Sequence, residues 1–357
     1  MPSPMPPDWV LDALRQGIAI PAHPLALAED GRFDPRCQRA LTRYYAAAGA
    51  GGVAVGVHTT QFEIRAPGVD LLGPVLRTTA DALDELERAG RKPLVRIAGV
   101  CGLTAQALAE AALARDLGYH AALLSLAALP DAADDELVRH CRSVAEVMPL
   151  MGFYLQPAVG GRPLGADFWR RLAEIENVVA IKIAPFNRYQ TLDVACGVAQ
   201  AGRAGDVALY TGNDDNIVAD LLTPLDLHVG GRSVRQRMVG ALLGHWAVWA
   251  KAAIDLFRQL RDVARIGWAI PPPMLGLGPQ VTQCNAALFD ADHGFAGCIA
   301  GIQYVLHRQG LLASPRCLGE RQRLSPGQAD RIEAVRLAYP HLVDDDFVAA
   351  GRDEWLA

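Results

Sequence analysis

The chain has 357 residues, 51% hydrophobic and 20% charged, with 34 basic and 39 acidic side chains and a net charge of −5. This is globular composition and excludes a disordered chain, and the weakly acidic balance argues against nucleic acid or an anionic membrane as the partner. No apolar run approaches the ~18 residues that would span a bilayer, and the length suits either two domains or one α/β barrel with an appendage.

In chain order, residues 1–7 are proline-rich and lack the basic and apolar regions of a signal peptide. Residues 8–15 read as a short helix. Short aliphatic runs then recur at 17–22, 52–57, 93–98, 120–125, 150–155, 178–183, 207–211 and 225–229. They are of the kind expected for strands buried on both faces. Amphipathic stretches alternate with them at 35–48, 79–89, 104–117, 134–146, 166–174, 189–201, 215–222 and 232–265. The helix at 35 has Asp34 as N-cap, Pro35 in its first turn and Gly49 at its end. Eight strands alternating with helices predict a (β/α)8 TIM barrel. A doubly wound sheet would bring a glycine-rich fingerprint after its first strand, and Ile20-Pro21-Ala22-His23-Pro24 is not one. After Pro271-Pro272-Pro273, helical patterns at 280–290, 295–309 and 326–339 predict a C-terminal helical extension. The expected division is an N-terminal segment 1–16, a catalytic barrel 17–265 and a helical domain 266–357.

Seven cysteines, at 37, 101, 141, 196, 284, 298 and 317, are scattered and form no CxxC. That pattern predicts reduced thiols and a cytoplasmic protein rather than disulfides or a zinc site. Lysine is scarce: Lys92, Lys182 and Lys251 are the only three. Arginine replaces lysine on a surface but not where an amine must react. Lys182 ends the strand Val178-Val179-Ala180-Ile181-Lys182-Ile183 with apolar neighbours on both sides. A lysine desolvated there tends to lose its proton or find a partner, and the neutral amine attacks a ketone to form a Schiff base. Lys92 lies in a solvated turn, and Lys251 reads as a surface or interface residue.

Tyr154 ends the preceding strand, where a phenol beside Lys182 would shuttle protons; the alternative is a core tyrosine bonded to backbone. Thr59 and Thr60 follow the second strand and offer two hydroxyls and two amides to a carboxylate. Arg65, Arg162 and Arg232 follow expected strands two, five and eight and are candidates to grip an acid group. A metal-dependent reading rests on His23 and His58 with Glu63 nearby, without an HxH or HxxxH pair.

Taken together, these sites resemble the dihydrodipicolinate synthase / N-acetylneuraminate lyase family over most of the barrel. The resemblance is carried by Asp30-Gly31-Arg32-Phe33-Asp34, the Thr-Thr pair, Arg96-Ile97-Ala98-Gly99-Val100, Tyr154 and Gly212-Asn213-Asp214-Asp215. Its most specific part is Leu172 to Lys182. It implies a TIM barrel with a helical C-terminal domain, a homo-oligomer (dimer or tetramer), and no metal or organic cofactor. It implies that Lys182 forms an imine with pyruvate or another 2-keto acid, that Tyr154 relays protons assisted by Thr60, and that Thr59 and Thr60 anchor the carboxylate. The eighth strand's substrate-contacting segment is matched by Val229-Gly230-Gly231. The family's Gly-Thr-Thr-Gly-Glu reads His58-Thr59-Thr60-Gln61-Phe62 here. The arginine that dihydrodipicolinate synthase carries five residues after its tyrosine is Val159 here, and the loop after the fourth strand, Leu126-Ala127-Ala128-Leu129-Pro130, lacks the synthase's tyrosine. The expectation is a Schiff-base lyase or aldolase that is not a true dihydrodipicolinate synthase. The alternatives are a keto-sugar-acid dehydratase using the same lysine and a non-catalytic keto-acid-binding barrel.

Overall fold

A computed structural model describes residues 4–267 and 269–357. The first three residues of the expected N-terminal segment, and Trp268 of the expected helical domain, lie outside the described residues. The elements begin with α1 (Asp8–Gln16), β1 (Ala19–Pro21), α2 (Pro35–Ala48), β2 (Gly52–Val55), α3 (Leu72–Arg88), β3 (Val95–Val100), α4 (Thr104–Asp116) and β4 (Ala121–Leu124). They continue with α5 (Asp134–Ala145), β5 (Leu150–Tyr154), α6 (Ala166–Ala173), β6 (Val178–Ile183), α7 (Arg188–Gln200), β7 (Ala208–Thr211) and α8 (Ile217–Leu222). Then come β8 (Leu225–Val229), β9 (Arg232–Gln236), β10 (Met238–Leu243), α9 (Ala250–Ile266), α10 (Pro272–Phe289), α11 (Cys298–Arg308), α12 (Gln328–Ala338) and α13 (Asp345–Leu356).

Two compact units divide these elements. One comprises the residues up to Ile18 with Val95–Leu242, the other Ala19–Leu94 with Leu243–Ala357. In the first, β3, β4, β5, β6, β7 and β10 pair in that order, all parallel. Every residue of β3 to β7 is buried, as strands covered on both faces require. In the second unit β1 and β2 run parallel, with the His23 amide donating to the Ala54 carbonyl at 2.8 Å. There α2 starts as its sequence predicts: Asp34 accepts from the Cys37 amide at 3.0 Å, and Gly49 closes the helix at φ +91°. Together the units carry the eight parallel strands and the flanking helices of a (β/α)8 TIM barrel, with α10 to α13 as its C-terminal helical extension.

Three expectations need correction. The eighth barrel strand is β10, not residues 225–229, and residues 232–265 are not one helix. β8 and β9 form a separate antiparallel hairpin with Asp226 paired to Arg235 across it. Its tip is Gly230-Gly231, both at positive φ (+54° and +74°), which two-residue hairpin turns favour. The hairpin packs on α7, where the Gln236 amide donates to the Ala195 carbonyl at 3.0 Å. Second, the helix expected at 280–290 already begins within the proline triplet, at Pro272, because proline fits a helix's first turn. Third, α3 begins at Leu72, seven residues before the expected start at 79, with Leu72, Val75, Leu76 and Leu83 buried on one face.

Candidate functional site

In the first unit, Lys182 sits on β6 in register with Phe153 on β5 and Tyr210 on β7. Residues in register on neighbouring strands point to the same side of a sheet, so these three share one face. Gly212 continues that face beyond Tyr210. A Cβ on Gly212 would stand 2.8 Å from Lys182 Cε and 3.2 Å from Cγ. The lysine arm therefore runs along a notch that only glycine leaves open. Its Nζ stands 4.6 Å from the centre of the Phe153 ring, and the residue is only 7% exposed. The ring's negative face offsets part of the cost of keeping the amine from water.

Tyr154 stands on the adjacent strand as expected, but on the other face. Its register partner is Ile183, and it shares its side with Gly152, whose added Cβ would meet Leu172 of α6 at 2.9 Å. The Tyr154 ring packs on Trp169 of α6, centroids 5.0 Å apart, and its hydroxyl accepts from the Leu164 amide at 3.0 Å. Burial pushes this phenol up from its ordinary pKa. The cause is a register slip: Leu150 pairs with Val178 but Met151 with Ala180, so Val179 is the extra residue of a bulge. Without it Tyr154 would face Lys182; with it Phe153 does. The structure does not bring Tyr154 and Lys182 together. Phe153 is the neighbour that the sequence reading missed.

Thr59 and Thr60 belong to the second unit, in a 3-10 turn, His58–Thr60. The Thr60 hydroxyl donates to the His23 carbonyl at 2.7 Å and accepts from the Gly56 and Val57 amides at 2.9 and 3.2 Å. These three bonds hold the backbone of the loop after β2 in shape. The Thr59 hydroxyl is buried with no hydrogen-bond partner among the described residues. Gln61, standing where the family pattern has glycine, keeps a left-handed φ of +69°, and its Oε1 accepts from the Leu318 amide at 2.6 Å. Glu63 accepts from Gln322 at 3.0 Å.

His23 is packed among polar partners, with Nε2 2.9 Å from the Thr42 hydroxyl and Nδ1 either donating to the Pro24 carbonyl at 3.0 Å or accepting from the Gln38 amide at 2.9 Å. Burial pushes its imidazole down to about 4, and its hydrogen-bond partners make it a structural pin between β1 and α2. Arg162 donates to the Leu129 and Ala132 carbonyls at 2.9 and 2.7 Å, tying two loops of the first unit together, and Arg65 donates to the Gly56 carbonyl at 3.0 Å. Gly230 and Gly231, expected at the end of a barrel strand and in contact with substrate, are exposed at the hairpin tip, and Arg232 follows them there. Lys251 pairs with Asp255 on α9, and Lys92 is exposed in the segment that leads into β3.

The chain is 31% identical over 234 residues to a 4-hydroxy-tetrahydrodipicolinate synthase of Aromatoleum aromaticum, covering 64% of this chain and 74% of that protein. Among solved structures it resembles dihydrodipicolinate synthase from Oceanobacillus iheyensis, with a TM-score of 0.72 at 16% identity over 93% of this chain and 99% of the other. It also resembles YagE, a prophage protein of the dihydrodipicolinic acid synthase family from E. coli K12 solved with pyruvate, with a TM-score of 0.71 at 19% identity over 92% and 99%. Residues 17–239 match the model of the dihydrodipicolinate synthetase family. The members of that family are lyases, class I aldolases that work through a Schiff base, and the chain belongs to it.

Proposed function

We propose that this protein forms a Schiff base between Lys182 and pyruvate or a related 2-keto acid, and that it cleaves, condenses or dehydrates that acid through the resulting imine. The observation that carries the reading is the setting of Lys182: a nearly buried amine at a barrel strand end, against Phe153, with room for its arm beside Gly212. The neutral Nζ adds to the C2 carbonyl, the carbinolamine loses water, and the protonated imine draws electrons from the bond at the neighbouring carbon. Either a C–C bond or a C–H bond yields that electron pair, leaving an enamine. The enamine is reprotonated after cleavage, adds to a second carbonyl carbon in condensation, or expels a hydroxyl from the next carbon as water in dehydration, and hydrolysis of the imine then returns the amine.

In this reading Tyr154 and Thr60 are not assigned the proton-carrying roles that the resemblance gave them: the Tyr154 hydroxyl lies on the face of β5 away from Lys182 and accepts from the Leu164 amide, and the Thr60 hydroxyl donates within its own unit to the His23 carbonyl. Thr59, with its buried hydroxyl unspent, remains the proposed anchor for the keto acid's carboxylate. The family relatives are named as synthases. Val159 in place of an arginine, and Arg162 tied to two backbone carbonyls, support a substrate other than the synthase's dicarboxylic partner. We further propose a homo-oligomer, as the family resemblance implies, and a reducing compartment, which the seven free cysteines support.

The test is borohydride reduction in the presence of a panel of 2-keto acids, read by intact mass. A saturable mass gain with one or more acids is the expected result. Acids that trap are then assayed for cleavage against water loss. No gain with any acid would sink the reading.

A further inference from the structure

A buried carboxylate on α8 has no part in the chemistry above. Asp220 is 1% exposed at its side chain, yet it collects four donors. Its Oδ2 accepts from the Thr211 hydroxyl at 2.6 Å and from the Asn213 amide at 3.0 Å. Its Oδ1 accepts from the Asn216 amide at 3.1 Å and from the Arg188 guanidinium. Asn213 is itself fully buried and wholly engaged. Its Nδ2 also reaches Thr191 at 3.3 Å, and its Oδ1 accepts from the Phe186 amide at 3.0 Å.

The donor and acceptor pattern has a direction. An ionised carboxylate only accepts, so the NH2 of Asn213 must face Asp220 and its oxygen must face Phe186. Phe186 lies four residues past Lys182 and holds a left-handed φ of +54°, which non-glycine residues avoid. Thr211 and Asn213, both held by Asp220, flank Gly212 in the chain. Gly212 donates its amide to the Ile183 carbonyl at 2.7 Å and forms the wall along which the arm of Lys182 runs.

We propose that Asp220, acting through Asn213, is a positioning residue that fixes the notch at Gly212 and so sets the path of the Lys182 amine to the substrate carbonyl. The inference rests on the imine reading. It assigns to Asn213 of the Gly-Asn-Asp-Asp loop a role in geometry rather than in contact with substrate.

The test compares Asp220→Asn, Asn213→Asp and the double swap Asn213→Asp/Asp220→Asn. The readouts are the single-turnover rate of borohydride trapping with pyruvate, or with the best-trapping acid of the panel, and the acid concentration at half saturation; thermal melting runs alongside. Asp220→Asn lets the Asn213 amide turn over, and Asn213→Asp sets two carboxylates against each other. The swap restores one donor facing one carboxylate and keeps an acceptor for the Phe186 amide. Each single variant is expected to slow trapping about tenfold or more, as misplacement of a reacting group by a fraction of an ångström does. Half saturation should move by no more than about twofold, and the swap should recover most of the lost rate. Folded single variants that trap at the wild-type rate, or a swap as slow as they are, would overturn the proposal while leaving the imine reading in place. Absence of any adduct on the wild type would overturn both.

Discussion

In the loop after β7, Asn213 bonds through its side-chain nitrogen, its side-chain oxygen and its backbone N–H, and Asp220 behind it takes four donors. In the loop after β2, the buried Thr59 hydroxyl and the Gln61 Nε2 have no hydrogen-bond partner among the described residues, and Gln61 carries a left-handed backbone without being glycine. The first loop spends its polar groups on its own geometry. The second leaves buried donors unspent, at about 1–3 kcal/mol each if nothing else meets them. The first arrangement suits the proposed role of fixing the path of Lys182, and the second the proposed role of gripping an acid group.

The largest expected effect breaks the notch at Gly212. A Cβ there meets Lys182 Cε at 2.8 Å, so Gly212→Val should lower borohydride trapping about a hundredfold or more while the protein still melts cooperatively. Next comes acid. Burial holds His23 at about 4, against 6.5 in the unfolded chain. Between those values the unfolded state binds the extra proton, so stability is full above about pH 6.5 and falls as pH drops toward 4. Burial holds His120 and His245 at about 4 as well, so denaturant unfolding at several pH values should show that slope, and His23→Gln should reduce it without abolishing it.

The two threonines separate the functions of their loop. Thr60→Val leaves the Gly56 and Val57 amides without their acceptor and should cost about 2 kcal/mol in unfolding experiments. Thr59→Val removes an unpartnered hydroxyl, so stability should hold while KM for the keto acid rises roughly tenfold. The smallest effect is on catalysis by Tyr154→Phe. It orphans the Leu164 amide and costs about 1 kcal/mol of stability, but trapping on Lys182 should stay within about twofold. A large loss of trapping would mean that the phenol faces the lysine after all.

What was legible in the sequence follows from local rules. Residues 178–183 form β6 as expected because an aliphatic run with one lysine has no competing pattern, and Asp34 with Gly49 brackets α2. Lysine scarcity singled out Lys182 before any geometry was known. The hairpin was missed although Gly230-Gly231 between alternating residues is a turn signal. The run from Met238 to Leu243 is aliphatic enough to read as helix, and only packing shows why Gly240 must be small: a Cβ there would meet the Tyr210 ring at 2.3 Å. The face of Tyr154 was not legible at all. It depends on one extra residue, Val179, in the pairing of β5 with β6, and a single-residue slip reverses every side chain beyond it. The Asp220 network was likewise hidden, because its members are spread from Phe186 to Asp220 and meet only in the fold.

The central claim is that Lys182 is the amine that forms the imine. With only three lysines in the chain, peptide mass spectrometry of the borohydride-reduced protein locates the adduct without ambiguity. The account predicts the added mass on the peptide containing Lys182 and none on those containing Lys92 or Lys251, with the adduct lost in Lys182→Ala. An adduct on Lys92 or Lys251, or one that persists in Lys182→Ala, would contradict it.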